Sequence, residues 1–210
     1  MKISQLAIAC VLTACAGAAT QTRYYQLAPP SAAEPPATTG SVLAVEPLVA
    51  EGAYDDERIV YRVDPVRLDY YQYHRWSTTP GAMVSSYLQQ ALSRSGKFRA
   101  VVRDSVADTA VVLGGRVIAI EEIDASKTSW LGHVAIELTL TDPKTGEILW
   151  SHPFDEREPL GAQTPAGLAR ALGIAMDRII AKAMPLVAGV SDRQAKAHGL
   201  LVEPPVAGQP

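Results

Sequence analysis

The chain has 210 residues, 48% of them hydrophobic and 20% charged, a balance that suits one globular domain with flanking segments and excludes a fibrous or wholly disordered protein. A formal net charge of −3 supplies no basic field that would draw the chain to nucleic acid, or to an acidic lipid surface, by charge alone.

The first element is a signal. Lys2 carries one positive charge, Leu6 to Leu12 is an uninterrupted apolar run, and the small residues Thr13 and Ala14 lead to Cys15, the three parts of an export signal. Seven apolar residues fall well short of the roughly 20 that a membrane-spanning helix needs. The tetrapeptide Leu12-Thr13-Ala14-Cys15 resembles the bacterial lipobox, which implies a signal peptide over 1–14 and a lipidated first residue at Cys15. Two other readings stand beside it: a Cys10–Cys15 disulfide, which needs an ordered fold inside a signal, and plain secretory cleavage, which leaves a free thiol in an oxidising compartment.

Residues 15–40 read as a tether. Small and polar residues follow Cys15, Tyr24 to Leu27 forms a short strand-like piece able to pair with a sheet, and Ala28 to Gly40 holds four prolines in thirteen residues. A domain over 41–189 then opens with a short buried strand from Val42, stopped at Glu46-Pro47. Glu51 to Glu57 reads as a loop, and Arg58 to Val63 and Val66 to Tyr73 as two strands joined near Asp64-Pro65. Ser77-Thr78-Thr79-Pro80 supplies cap candidates and a first-turn proline for an amphipathic helix whose apolar face is Met83, Val84, Tyr87, Leu88, Ala91 and Leu92, closed by Gly96.

Four strands follow, at Phe98 to Val102, Thr109 to Ile123, Thr128 to Thr141 and Glu147 to Phe154. Asp142-Pro143-Lys144-Thr145-Gly146 joins the last two as a hairpin. Gly114-Gly115 marks a bulge or a close backbone approach, because no helix follows to make a phosphate loop of it. Thr164-Pro165 opens a second helix lined by Leu168, Leu172, Met176, Ile179, Ile180 and Ala183, and residues 190–210 read as a mobile polar tail. The hairpin rules out a purely parallel sheet, so the expected fold is an α/β two-layer sandwich, a mixed or antiparallel sheet with two helices on one face.

No catalytic set emerges. The histidines at 74, 133, 152 and 198 have no metal-ligand spacing, both cysteines lie in or beside the signal, and neither a nucleophile elbow nor a phosphate-binding loop is present. No metal and no cofactor is therefore expected, and the chain reads as a non-enzyme. Asp55-Asp56-Glu57 reads as a solvated loop. The candidates for partner contact are Tyr70, Tyr71, Tyr73, Arg75 and Trp76, with strand packing as the competing role and Trp76 expected mainly to pack beneath the helix that follows it.

Taken together, "RYYQL", "VLAVEPL", "DERIVYR", "HRWSTTPGAMVSSYLQQAL" and "GKFRAVV" resemble the ABC-type transport auxiliary lipoproteins, the PqiC-like lipoproteins, from about Tyr24 to Ala183. The resemblance implies a periplasm-facing outer-membrane lipoprotein that accompanies an ABC permease, its ATPase and an MCE-domain substrate-binding protein in intermembrane lipid transport, with self-association left open. Ala16, where similar lipoproteins retained at the inner membrane carry Asp, agrees with the outer membrane. A periplasmic lipid carrier, or a small envelope enzyme with its site on the tyrosine-rich strands, is the alternative; a deep apolar cavity would favour the carrier and a filled core with exposed patches would favour docking.

Overall fold

The computed structural model describes residues 20–31 and 40–201. The signal and the lipidation expected at Cys15 lie outside these residues, as do Cys10 and residues 202–210 of the tail.

The sheet is organised by one long strand. β7 (Thr109–Ser126) pairs antiparallel along its length with β8 (Ser129–Thr141), which pairs in turn with β9 (Ile148–Pro159) across the expected hairpin. The other side of β7 is shared by three parallel strands: β2 (Val42–Val45) at its start, β3 (Val49–Ala50) at its middle and β4 (Arg58–Asp64) near its end. β2 carries β6 (Ala100–Val102) outward. β4 carries the antiparallel β5 (Arg67–Trp76), and β5 the parallel β1 (Arg23–Tyr25). The sheet is mixed, and helices α1 (Pro80–Ser93) and α2 (Pro165–Ala197) pack on it, giving the two-layer α/β sandwich.

The helices form where the apolar period and the turn chemistry agree. In α1 the residues read as its apolar face, from Met83 to Leu92, are all buried, and Pro80 stands in the first turn, where its missing N–H is harmless. At the start of α2 the Thr164 hydroxyl accepts from the Gly167 N–H at 3.0 Å, satisfying one of the donors a helix start leaves open. Tyr87 ties the two helices together: its hydroxyl lies 2.9 Å from the Gly173 carbonyl oxygen and 2.8 Å from the Asp177 carboxylate. Gly115 is the close approach that its sequence context suggested: φ is 145°, and a Cβ there would meet the Glu137 carbonyl oxygen at 2.0 Å. The register against β8 runs through it unbroken, and the bulge comes later, between Val117 and Ala119.

Two segments differ from the sequence reading. The short strand pairs with the sheet as β1, as its sequence allowed, but the chain stays pinned beyond it, within the stretch read as tether: Leu27 is buried, the Ala28 N–H donates to the Ala169 carbonyl, and Ser31 donates to Asp177. At the other end, α2 does not stop at Val190 but continues to Ala197, with Val190, Ser191 and Ala195 buried. The polar residues that suggested a tail have partners there: Ser191 donates to Ser41 at 2.8 Å, and Gln194 donates to Asp142 at 2.7 Å.

Candidate functional site

The hairpin of β4 and β5, with β1 beside it, holds all five residues proposed for partner contact, and a register shift in β5 between Tyr70 and Arg75 interrupts the alternation that divides them between the two faces. Trp76 is fully buried beneath the helices, beside its register partner Tyr25. Tyr71 turns to the same side, where its hydroxyl donates to Glu122 at 2.7 Å and its ring meets Tyr61 and His74 edge-on. These two are packing residues.

Tyr70 and Arg75 lie on the opposite face, brought together by Arg58. The Arg58 guanidinium stacks 3.7 Å above the Tyr70 ring, its backbone is in register with Arg75, and Asp56 holds it through a 2.6 Å ion pair. Tyr24, absent from the sequence candidates, is the register partner of Arg75 and is 61% exposed; Tyr73 is 39% exposed. Arg58, Tyr70, Tyr73, Arg75 and Tyr24 thus form an aromatic and cationic strip along the sheet. Reading the tyrosines as one group from their spacing missed that Tyr24, far away in sequence, completes it.

Further along this face lies a polar network that no sequence motif announced. Glu121 is buried on β7 and accepts from Tyr54 at 2.7 Å and from Arg62 at 3.1 Å; its other oxygen is 3.2 Å from His133 Nδ1. Asp155 of β9 approaches His133 Nε2 at 3.3 Å. Burial alone would raise the Glu121 carboxyl, but His133, Tyr54 and Arg62 together hold it below the usual carboxylate range. Tyr54 is pushed up to about 12, first by burial and then by its bond to Glu121. Arg62, Asp64, Glu121, His133 and Arg157 line an open cleft of about 440 Å³. Glu121 gathers Tyr54, Arg62 and His133, and Asp155 meets His133 from β9, so the network locks Tyr54 and strands β4, β7, β8 and β9 together rather than presenting a free nucleophile.

Across the sheet, on the helix side, Glu122 is fully buried against Tyr71. Burial raises its carboxyl to about 7; the Tyr71 hydroxyl works against this shift, and nearby Asp124 adds to it. Between the helices runs an open groove of about 420 Å³ floored by Ala91, Ile180, Met184 and Ala188. The space between sheet and helices is filled by side chains such as Leu43, Leu113, Ile136, Leu168 and Met176. No described helix is long and apolar enough to cross a membrane.

The comparisons agree with this architecture. No curated protein matches the chain. Among solved structures, protein XCC0632 from Xanthomonas campestris superposes with a TM-score of 0.70 at 19% identity, covering 83% of this chain and 99% of that one. A further uncharacterised protein superposes with a TM-score of 0.64 at 15% identity, covering 80% and 99%. At these identities the likeness shows the shared fold. The family model described as the ABC-type transport auxiliary lipoprotein component matches residues 25–183, from the end of β1 through most of α2. Most of the sheet, α1 and all of the aromatic strip but Tyr24 lie within that match, and the chain belongs to the ABC-type transport auxiliary lipoprotein family.

Proposed function

We propose that this protein is an outer-membrane lipoprotein that docks the periplasmic MCE-domain substrate-binding protein of an ABC-type intermembrane lipid transport system. Membership of the family makes its role auxiliary and non-enzymatic. The observation that carries the docking role is the strip in which exposed Tyr24 and Tyr73 flank half-buried Arg58, Tyr70 and Arg75, on a domain whose core is filled. Aromatic and arginine side chains are the ones that recur at the centres of protein interfaces, because they bury a large area for few rotatable bonds. A carrier with its cavity on the tyrosine-rich strands fits less well, since Tyr71 and Trp76 fill the space such a cavity would need.

The test is a pull-down from detergent-solubilised envelopes with the wild-type chain and with the double variant Tyr24→Ala, Arg75→Glu. Wild type should recover the MCE-domain protein, and the variant, with an unchanged melting temperature, should lose on the order of ten-fold of it, as removal of about 1.4 kcal/mol would produce. Equal recovery by both would move the interface elsewhere. Failure to recover any transport component, combined with turnover of an ester or peptide substrate, would favour the enzyme reading instead.

A further inference from the structure

We propose that the tip of the β4–β5 hairpin, Val63 to Val66, rests in the surface of the lipid bilayer to which the chain is anchored. This rests on the lipoprotein reading of Cys15.

The tip is built to present apolar side chains outward. Val66 is 93% exposed and Val63 44%, with Pro65 exposed between them. The charge at the tip is turned back on the backbone, because one Asp64 oxygen accepts from the N–H groups of Val66 at 2.9 Å and Arg67 at 2.8 Å. Arg67, exposed at the start of β5, is paired with Asp69 at 2.7 Å, and the two valines and the proline are the exposed apolar side chains of the turn. The β7–β8 turn ends on the same side of the molecule, since β4 runs parallel to β7 with Arg62 beside Ile123. That turn exposes Lys127, which has no acidic partner among the described residues and is placed to meet lipid phosphate.

The direction of the chain points to the occupant. β1 is parallel to β5, with Arg23 in register with His74, and β5 begins at the tip with Arg67. The polypeptide therefore enters the sheet from the tip's side. Along β5 the distance from the level of Arg23 to the tip is about 23 Å at ~3.3 Å per residue. From Cys15 to Arg23 the chain can span at most about 29 Å. An anchor at Cys15 thus holds the domain on so short a lead that its tip end, with Val63, Val66 and Lys127, lies at the bilayer, while the β8–β9 hairpin with Lys144 points away.

The lipid-bearing full chain, purified from membranes and reconstituted in phosphatidylethanolamine–phosphatidylglycerol vesicles containing brominated acyl chains, tests this. An environment-sensitive fluorophore is placed through Val66→Cys in one sample and Lys144→Cys in the other, and mass spectrometry reads the lipid on Cys15. Emission at position 66 should shift to the blue and be quenched several-fold more than at position 144. Equal quenching at both positions, or none at 66, with lipid present on Cys15, overturns the tip contact and leaves the anchor standing. A chain without lipid on Cys15 that stays off the vesicles overturns both. A blue shift at 66 that needs an added protein partner and is not quenched by lipid also overturns it, assigning the tip to that protein.

Discussion

Glu122 is the residue whose burial should be readable in the pH dependence of stability. It is fully buried on the helix side of β7; the loss of water raises its carboxyl to about 7, the hydrogen bond from Tyr71 does not offset this, and neighbouring Asp124 adds to it. In the unfolded chain the same group titrates near its ordinary value of 4.5. Between those two values the folded state holds the extra proton, so this residue's contribution to stability is most favourable at low pH, declines as pH rises towards 7, and levels off above it. Glu122→Gln keeps an acceptor for Tyr71 and removes the ionisation. Urea melts across pH 4 to 8 should show the variant gaining on wild type through that interval, by on the order of 1–3 kcal/mol at pH 8. A constant difference at all pH values would show that Glu122 titrates in the fold as it does in the unfolded chain. Of the five residues proposed for partner contact, the packing role of Trp76 was legible from its place before a helix. That Tyr71 turns inward while Tyr73 and Arg75 turn outward was not, because the register shift between Tyr70 and Arg75 breaks the simple alternation that spacing alone predicts.

At the scale of elements, β9 shows how an open sheet edge is kept closed to other strands. It pairs only with β8, and the Leu160 N–H donates to Trp130 just beyond its end at 2.8 Å. Continuing that register back along β9 makes the even-numbered residues the ones bonded to β8. The main chains of Ser151, Pro153, Asp155, Arg157 and Pro159 therefore face outward, and two of them have no N–H to offer. Ion pairs of Glu156 with Lys182 and of Glu158 with Arg178 tie the strand to α2. Pro153→Thr restores an outward donor on an exposed edge, and one added hydrogen bond contributes about 1 kcal/mol. Sedimentation should show self-association of the variant tighter by roughly five-fold; an unchanged profile would mean that the strand's charges, not its prolines, guard the edge. The helices, the β8–β9 hairpin and the long strand β7 were readable because each is set by local chemistry: an apolar period, a capping threonine, a Pro-Gly turn. β3 was not, since two residues carry no period.

The whole molecule has two distinct ends. The β4–β5 tip, the β7–β8 turn and the start of α2 lie at one; the β8–β9 hairpin, the beginnings of β2 and β7 and the end of α2 lie at the other. The last turns of α2 are part of the second end, not an appendage, because Ser191 bonds Ser41 and Gln194 bonds Asp142. A chain truncated after Gly189 should therefore melt markedly lower, losing on the order of 2–4 kcal/mol through the buried side chains it gives up. A thermal melt unchanged by the truncation would restore the view of residues 190–197 as a tail. Apolar period and turn residues by themselves determined the class of fold, the two helices and the hairpin, because each is written within a few neighbouring residues. Only the tertiary structure decided that Tyr24 joins Arg75, that Glu121 gathers Tyr54, Arg62 and His133, that the tether shortens to the residues before Arg23, and that the polar end of α2 is bound. Each of these depends on pairing between segments far apart in the chain, and the free energy of such a pairing resides in partners that no local pattern names.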